Sequence, residues 1–502
     1  MAMKAGVVIR GLAAGALAFA AVWLVAILYW RSTGATPTTG QILGYLLLLP
    51  LLLVGVFLLV RLLIRRRQGR RTATGPAATP GADSIAGSTD AIEPDRVLHL
   101  LASAVLTRAG DSGDAVAQAL AAPSRPPLHP ELRDRMGLPV FAAHVDDLDV
   151  AHIRAAVAGL LPDPRPRIPA FGEDQLRALA LLEPVAEELL HAALPGPVET
   201  AGEAASDSDA GTLHPHAMHH SRSSRAAAPT PLAPVLHIRL LLPATWPEPL
   251  RRACATWLGD KARAIGFTGA MFRIEVSPVA GVADVWRLLD RLADADTRAG
   301  ADTDNHLLLA AHSLIDGSTV DRLDAGRMLL VSGNPEGLVP GEAAAGVLVS
   351  PTAPPDDTQW SPLRLHRVVH APAGQGRAAG RALAVLMQRA IASAGVPLEQ
   401  VSAVFSDADH RPSRAIEIAG GIAACLPELD PVEQGRHFGI ACGETGAVAT
   451  LAVLAAAAAH ATADDRPVLL AAVADREVRF AGLLSPLPNP EPSVASATGK
   501  TA

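Results

Sequence analysis

The densest run of reactive side chains lies in residues 405–421, FSDADHRPSRAIEIAGG. Asp407, Asp409, His410 and Arg411 follow an apolar stretch there. Two close carboxylates and an imidazole could hold a cation, or take and return protons. The same letters also suit a solvated turn, with Ser413 capping a helix and Arg414 and Glu417 as its surface charges. A second run, residues 441–450, reads ACGETGAVAT. It sets Cys442 just ahead of a helix, where a thiol could be activated as a nucleophile, with Glu444 beside it. Packing of a small side chain is the other reading of Cys442. Cys254 and Cys425 fall inside helical patterns and read as packing residues.

His214, His216, His219 and His220 crowd into H-x-H-x-x-H-H. Imidazoles so placed could hold Zn or Ni loosely. They stand in a polar stretch with no cysteine and no apolar shell, so linker composition is the simpler reading, and no metal or cofactor is assigned. Residues 332–350, SGNPEGLVPGEAAAGVLVS, carry glycines at 333, 337, 341 and 346. The G-K-[ST] ending of a phosphate loop and the G-x-G-x-x-G of a dinucleotide fold are both missing. A tight turn with close backbone approach, feeding an apolar strand, fits these glycines. Ser313 ends the apolar run HLLLAAHS without the G-x-S-x-G elbow of a hydrolase.

Elements of an α/β rhythm must position these groups. Apolar runs predict strands over residues 235–242, 272–276, 306–311, 344–349, 363–369, 401–405, 437–441, 467–474 and 477–484. Helical periodicity predicts helices over 172–191, 247–263, 282–292, 376–395, 413–425 and 445–460. Residues 97–106, VLHLLASAVL, are ambiguous between strand and helix. From 401 onward the pattern is β-α-β-α-β-β, with the final hairpin expected at one end of the sheet.

The chain has 502 residues, 49% of them hydrophobic, and a net charge of −7. Nine of its 43 basic residues and none of its 50 acidic ones fall in residues 1–71. The remainder is therefore strongly acidic and a poor match for the phosphate backbone of nucleic acid. Residues 11–30 and 42–60 are uncharged apolar runs of bilayer length, joined by a short loop. They predict a transmembrane hairpin with the lipid bilayer as a partner. Arg65, Arg66, Arg67, Arg70 and Arg71 follow the second run. The positive-inside rule then predicts a two-pass protein of the bacterial inner membrane, with both termini and the soluble region cytoplasmic. The expected division is a transmembrane hairpin with basic flanks (1–71), a linker (72–93), an N-terminal α/β segment (94–194), a flexible linker or insertion (195–233), an α/β domain (234–486) and a disordered tail (487–502).

Residues 305–486 resemble the latter part of a β-ketoacyl synthase of the thiolase-like superfamily. HLLLAAHSLID resembles the strand that ends in a Gly-Gly-Ala-Glu-like sequence. EGLVPGEAAAGVLVS resembles the Gly-Phe-Val-x-Gly-Glu-Gly-Ala-Gly stretch, with Gly337, Gly341, Glu342, Ala344 and Gly346 matching in kind. ACGETGAVAT resembles Gly-His-Thr-x-Gly-Ala-Ala-Gly, with Gly446 and Ala447 in register. The resemblance implies a thiolase-like layered α-β-α fold. It also implies a catalytic cysteine near residues 279–284 and two histidines, near Ser406–Asp407 and at Gly443 or Glu444. None of the three stands there. Without an imidazole donor for the oxyanion, Claisen condensation is lost.

A narrower resemblance is to the type VI secretion lipase-adaptor family. It implies a non-catalytic adaptor whose partner is a protein client, either a secreted lipase effector or a component of the secretion apparatus. The alternative is an acyl-thioester-handling enzyme or acyl-carrier sensor using Cys442, His410, Asp407 and Glu444. Thiolase-like folds also pair through sheet edges, which implies a possible homodimer.

Overall fold

A computed structural model describes residues 96–161, 170–194, 235–295, 304–354 and 362–487. All of them belong to the compact unit Ile92–Ala502. The strands are β1 (Val97–Thr107), β2 (Leu128–Arg133), β3 (Pro139–Phe141), β4 (Leu236–Pro243), β5 (Phe272–Val279), β6 (His306–Ser313) and β7 (Glu342–Ser350). The chain continues with β8 (Leu363–His366), β9 (Val369–Pro372), β10 (Ala403–Ser406), β11 (Gly435–His437), β12 (Val468–Ala472) and β13 (Val478–Pro486). The helices are α1 (Gly113–Ala121), α2 (Val150–Ala158), α3 (Glu173–Ala193), α4 (Glu248–Ile265) and α5 (Val282–Ala295). After them come α6 (Gly317–Ala325), α7 (Ala379–Ser393), α8 (Pro412–Cys425), α9 (Phe438–Cys442) and α10 (Val448–Asp464).

Eleven strands share one mixed sheet in the order β11-β10-β12-β13-β8-β1-β7-β6-β4-β5, with β9 also on β13. The order is the same outward from the β1–β8 seam on either side. Numbering the five strands of each half in chain order, both read first, fifth, fourth, second, third. The fifth strand is antiparallel to both neighbours in each half, and the second is parallel to both of its own. The chain therefore builds one five-stranded pattern twice, which is a pseudo-twofold fold.

Strand periodicity sorts the apolar side chains into layers, since alternate residues point to opposite faces. In β7, Ala343, Ala345, Val347 and Val349 join a central core, while Ala344 and Leu348 join an outer one. In β12, Val468, Leu470 and Ala472 face the same central core, and Leu469 and Ala471 face a third. The central core holds α5 and α10, so these helices lie between the two halves of the sheet. Trp286 of α5 stacks on Phe480 of β13 at 6.2 Å, tying that middle layer to the second half. Helices α3 and α4 cover the outer face of the first half, and α7 and α8 that of the second. The uninterrupted apolar strands follow from this, because both faces of the sheet are covered. A bulge in β1 between Leu100 and Ala102 flips its alternation, so Leu98, Leu100 and Val105 all reach the central core.

Four expectations are corrected. The final hairpin is not at an end of the sheet: β13 lies inside it, between β12 and β8. The run 437–441 is a strand only to His437, and Phe438–Cys442 form a helical turn. The run 363–369 breaks into β8 and β9, because the second piece leaves β1 for the far end of β13. The two-pass inner-membrane placement is overturned by the finding that, among the described residues, no helix is long and apolar enough to cross a membrane. The hairpin expected over residues 1–71 and the histidine cluster 214–220 lie outside the described residues.

Glu342, at the start of β7, has no solvent exposure. Its carboxylate accepts from Arg177 Nε at 2.9 Å, Ser313 Oγ at 2.8 Å and the backbone N–H of Val145 at 2.8 Å. Replacing Glu342 by Ala strands the Arg177 guanidinium and should cost about 3–5 kcal/mol in chemical denaturation. A loss below about 1 kcal/mol would show that water replaces the carboxylate at no great cost.

Candidate functional site

The site is built where β10 ends and where α9 leads into α10. The strap Val339–Gly341 joins the two by backbone pairing. Glu444 N–H donates to Val339 O at 2.8 Å, and Gly341 N–H donates to Glu444 O at 3.1 Å. Only glycine fits in the strap at 341, because a Cβ there would lie 2.1 Å from the Cys442 carbonyl oxygen. Gly443, with φ of 64°, makes the turn that reverses the chain.

Four charged groups meet beside this strap. Asp407 is buried at the end of β10. Its Oδ1 accepts the backbone N–H groups of Val473 at 2.6 Å and Ala474 at 3.1 Å, and its Oδ2 has no partner. Burial pushes the carboxyl up to about 7, against the pull of those two N–H groups and helped by the charge of Glu444. Asp409 accepts from Arg411 Nε at 3.0 Å, and the same guanidinium reaches Glu444 at 3.6 Å. Glu444 also accepts the N–H of Gly446 at 3.0 Å.

Cys442 and His410 are engaged elsewhere. Burial pushes the Cys442 thiol up to about 11, and it meets Thr107 and Ala109 at the end of β1. His410 donates from Nε2 to the carbonyl of Gly337 at 2.9 Å. So Asp407, Asp409, Arg411 and Glu444 share one neighbourhood, while the thiol and this imidazole each serve another. Cys254 and Cys425 are buried and free. Among the described residues no group of three or more His, Cys, Asp or Glu is placed to hold a metal ion.

The helix reading of this run is also corrected. Helix α8 has no side-chain cap; Pro412 opens its first turn, and Ser413 instead bonds Glu336 through both its N–H, at 3.0 Å, and its hydroxyl. Glu417 is buried and takes a two-pronged bond from Arg479 of β13, at 2.7 and 3.0 Å. Helical spacing says which residues share a face, not which face the sheet will cover.

Sequence reasoning missed two imidazoles. His437 Nδ1 lies 2.8 Å from Ser406 Oγ, and burial pushes its pKa down to about 4. The pair faces across β10 and β11, so only strand register brings it together. His312, at the end of β6, is pushed down to about 4 by burial and lies against Gly446, where a Cβ would come 2.6 Å from its ring.

Two outcomes follow. Asp407 has its folded pKa raised above the unfolded value, so its contribution is fully present below about pH 4 and lost as pH rises toward about 7. Asp407→Asn retains an acceptor for Val473 and Ala474, so the wild type should lose stability relative to it across that window in paired denaturation curves. A parallel pair of curves would contradict the buried-carboxyl account. Cys442 should resist iodoacetamide in the native protein at pH 8 and react only on unfolding; native alkylation read by peptide mass would refute its burial.

No family model and no curated protein matches the chain. Solved structures do. A type II polyketide-synthase ketosynthase, bound to the hexaketide and in complex with its acyl-carrier protein, aligns with TM-score 0.50 and 11% identity, over 78% of this chain and 100% of that chain. The oxazolomycin ketosynthase domain of Streptomyces albus JA3453 aligns with TM-score 0.49 and 12% identity, over 78% and 74%. The ketosynthase of module 6 of the bacillaene synthase of Bacillus subtilis 168 aligns with TM-score 0.48 and 10% identity, over 79% and 73%. At such identity the first of these likenesses shows the fold alone, and that fold is ketosynthase-like.

Proposed function

We propose that this chain is a non-catalytic, protein-binding adaptor built on a ketosynthase-like scaffold. One observation carries the reading: the side chains at the expected catalytic positions are consumed by bonds within the fold. Asp407 holds the end of β12, and Glu444 closes its own turn and faces Arg411. At the start of α5, Ala280 and Gly281 offer no nucleophile. The nearby thiol of Cys442 is buried and protonated at neutral pH. A cleft so arranged has no activated nucleophile at the expected position, and its imidazoles, His437 beside Ser406 and His312 beside Gly446, come from other elements and are kept uncharged by burial. What it retains is a rigid three-dimensional surface. The lipase-adaptor resemblance of the sequence supplies the class of client, a secreted lipase effector of a type VI secretion machine.

Two measurements test the reading. The purified full chain should release no CO2 from a malonyl thioester above the uncatalysed rate, and Cys442→Ala should change nothing. Turnover that disappears in that variant would restore the acyl-handling alternative. Tagged full-length chain isolated from its native cells should bring down a lipase effector; failure to recover a lipase or any secretion component in any growth state would overturn the adaptor reading.

A further inference from the structure

A cavity of ≈ 240 Å³ opens beside the site. Phe141 of β3, Leu330 and Val339 of the loop before β7, and Ile440 of α9 form its apolar walls, with prolines completing them. Only two lining residues are charged or ionisable, Arg125 and His410, and no carboxylate lines it. Arg125 is exposed and has no ion-pair partner among the described residues. The carboxylates that flank the lining in sequence, Glu336 and Asp409, are already held by Ser413 and Arg411. The β2–β3 hairpin that contributes Phe141 also exposes Leu128, Met136 and Leu138, the last two at 78% and 59%. Large apolar side chains left in water on one short hairpin mark an interaction surface.

We propose that this cavity is the client-docking site, and that its occupant is a protein segment presenting one bulky apolar side chain flanked by carboxylates. The inference rests on the adaptor reading and names the chemistry of the partner. A cavity of this size accommodates one aromatic or branched aliphatic side chain, the kind of central anchor that dominates binding energy. Leu128 pairs with Phe141 across the hairpin, so the exposed apolar surface of the hairpin adjoins the cavity wall. Charge complementarity selects the flanks: the lining offers the guanidinium of Arg125 and no carboxylate, on a chain whose net charge is −7. An acidic segment steered by Arg125 meets no opposing carboxylate in the cavity wall, whereas a basic one would be repelled.

The test uses the full chain and a fluorescein-labelled peptide, Gly-Ser-Glu-Glu-Phe-Glu-Ser-Gly, read by anisotropy. Saturable binding is expected. It should weaken about tenfold or more when Phe in the peptide becomes Ala, and by a similar factor in the Arg125→Glu or Phe141→Ala protein. Lysine in place of the peptide glutamates should abolish binding. No saturation by about 1 mM, a level at which weak anchor peptides still register, would overturn the inference. Equal binding of the Ala peptide, or no effect of Arg125→Glu, would do the same. So would displacement-free binding of octanoate in the cavity with no peptide binding, which would mark a small-molecule site. Isolation of the lipase client by Arg125→Glu as well as by wild type would sink this docking site and leave the adaptor reading standing; recovery of no client by either would sink the adaptor reading itself.

Discussion

A carboxylate placed out of reach of water must be met by donors on every side, and Glu342 imposes that condition on the first half of the fold. Its oxygens are met by Arg177 from α3, Ser313 from β6 and the Val145 amide from the loop after β3. Four segments distant in sequence are held to one point. The desolvation of such an ion pair is costly, and only full satisfaction makes it tolerable. Here the donors are all in place, so the pair acts chiefly to specify geometry. It fixes where β7 begins, and hence where the strap Val339–Gly341 runs.

The strap is in turn what shapes the neighbouring cleft. Its backbone pairs with Glu444 on one side and with Ala143 on the other, so the loop between α9 and α10 cannot move independently of the first half. With the loop pinned, the carboxylates of the cleft find structural partners close at hand, although Asp407 Oδ2 and the Thr445 hydroxyl have none among the described residues. Asp407 turns to the amides after β12, and Asp409 turns to Arg411. The burial that raises Asp407 and the Cys442 thiol is the burial of a packed interior. Unengaged charge and exposed apolar surface appear instead around the β2–β3 hairpin and Arg125. That contrast separates side chains bonded within the fold from apolar and charged groups that face solvent.

Much of this fold was legible before any coordinate. The apolar runs at 306–311 and 344–349 lie within β6 and β7, and the helical periodicity at 172–191 and 376–395 lies on α3 and on the segment of α7. Glycines 337 and 341 were readable as points of close backbone approach, and both meet backbone atoms of a neighbouring segment. These features were readable because they are local: side-chain alternation and a missing Cβ leave their mark within a few residues. The break between β8 and β9, and the placing of β13 inside the sheet, were not. Strand order is a matter of which distant segments pair, and nothing within β13 itself records that β8 is its neighbour.

The candidate site divides along the same line. Sequence alone determined that Asp407, Asp409, Arg411 and Glu444 stand near two strand ends. Tertiary structure alone decided what those groups do. It brought Asp407 to Val473 and Ala474, 66 and 67 residues away in the chain, buried Cys442 against Thr107, and set Ser406 opposite His437. The physical reason is that a side chain's chemistry depends on its hydration and its partners, and both are set by residues remote in sequence.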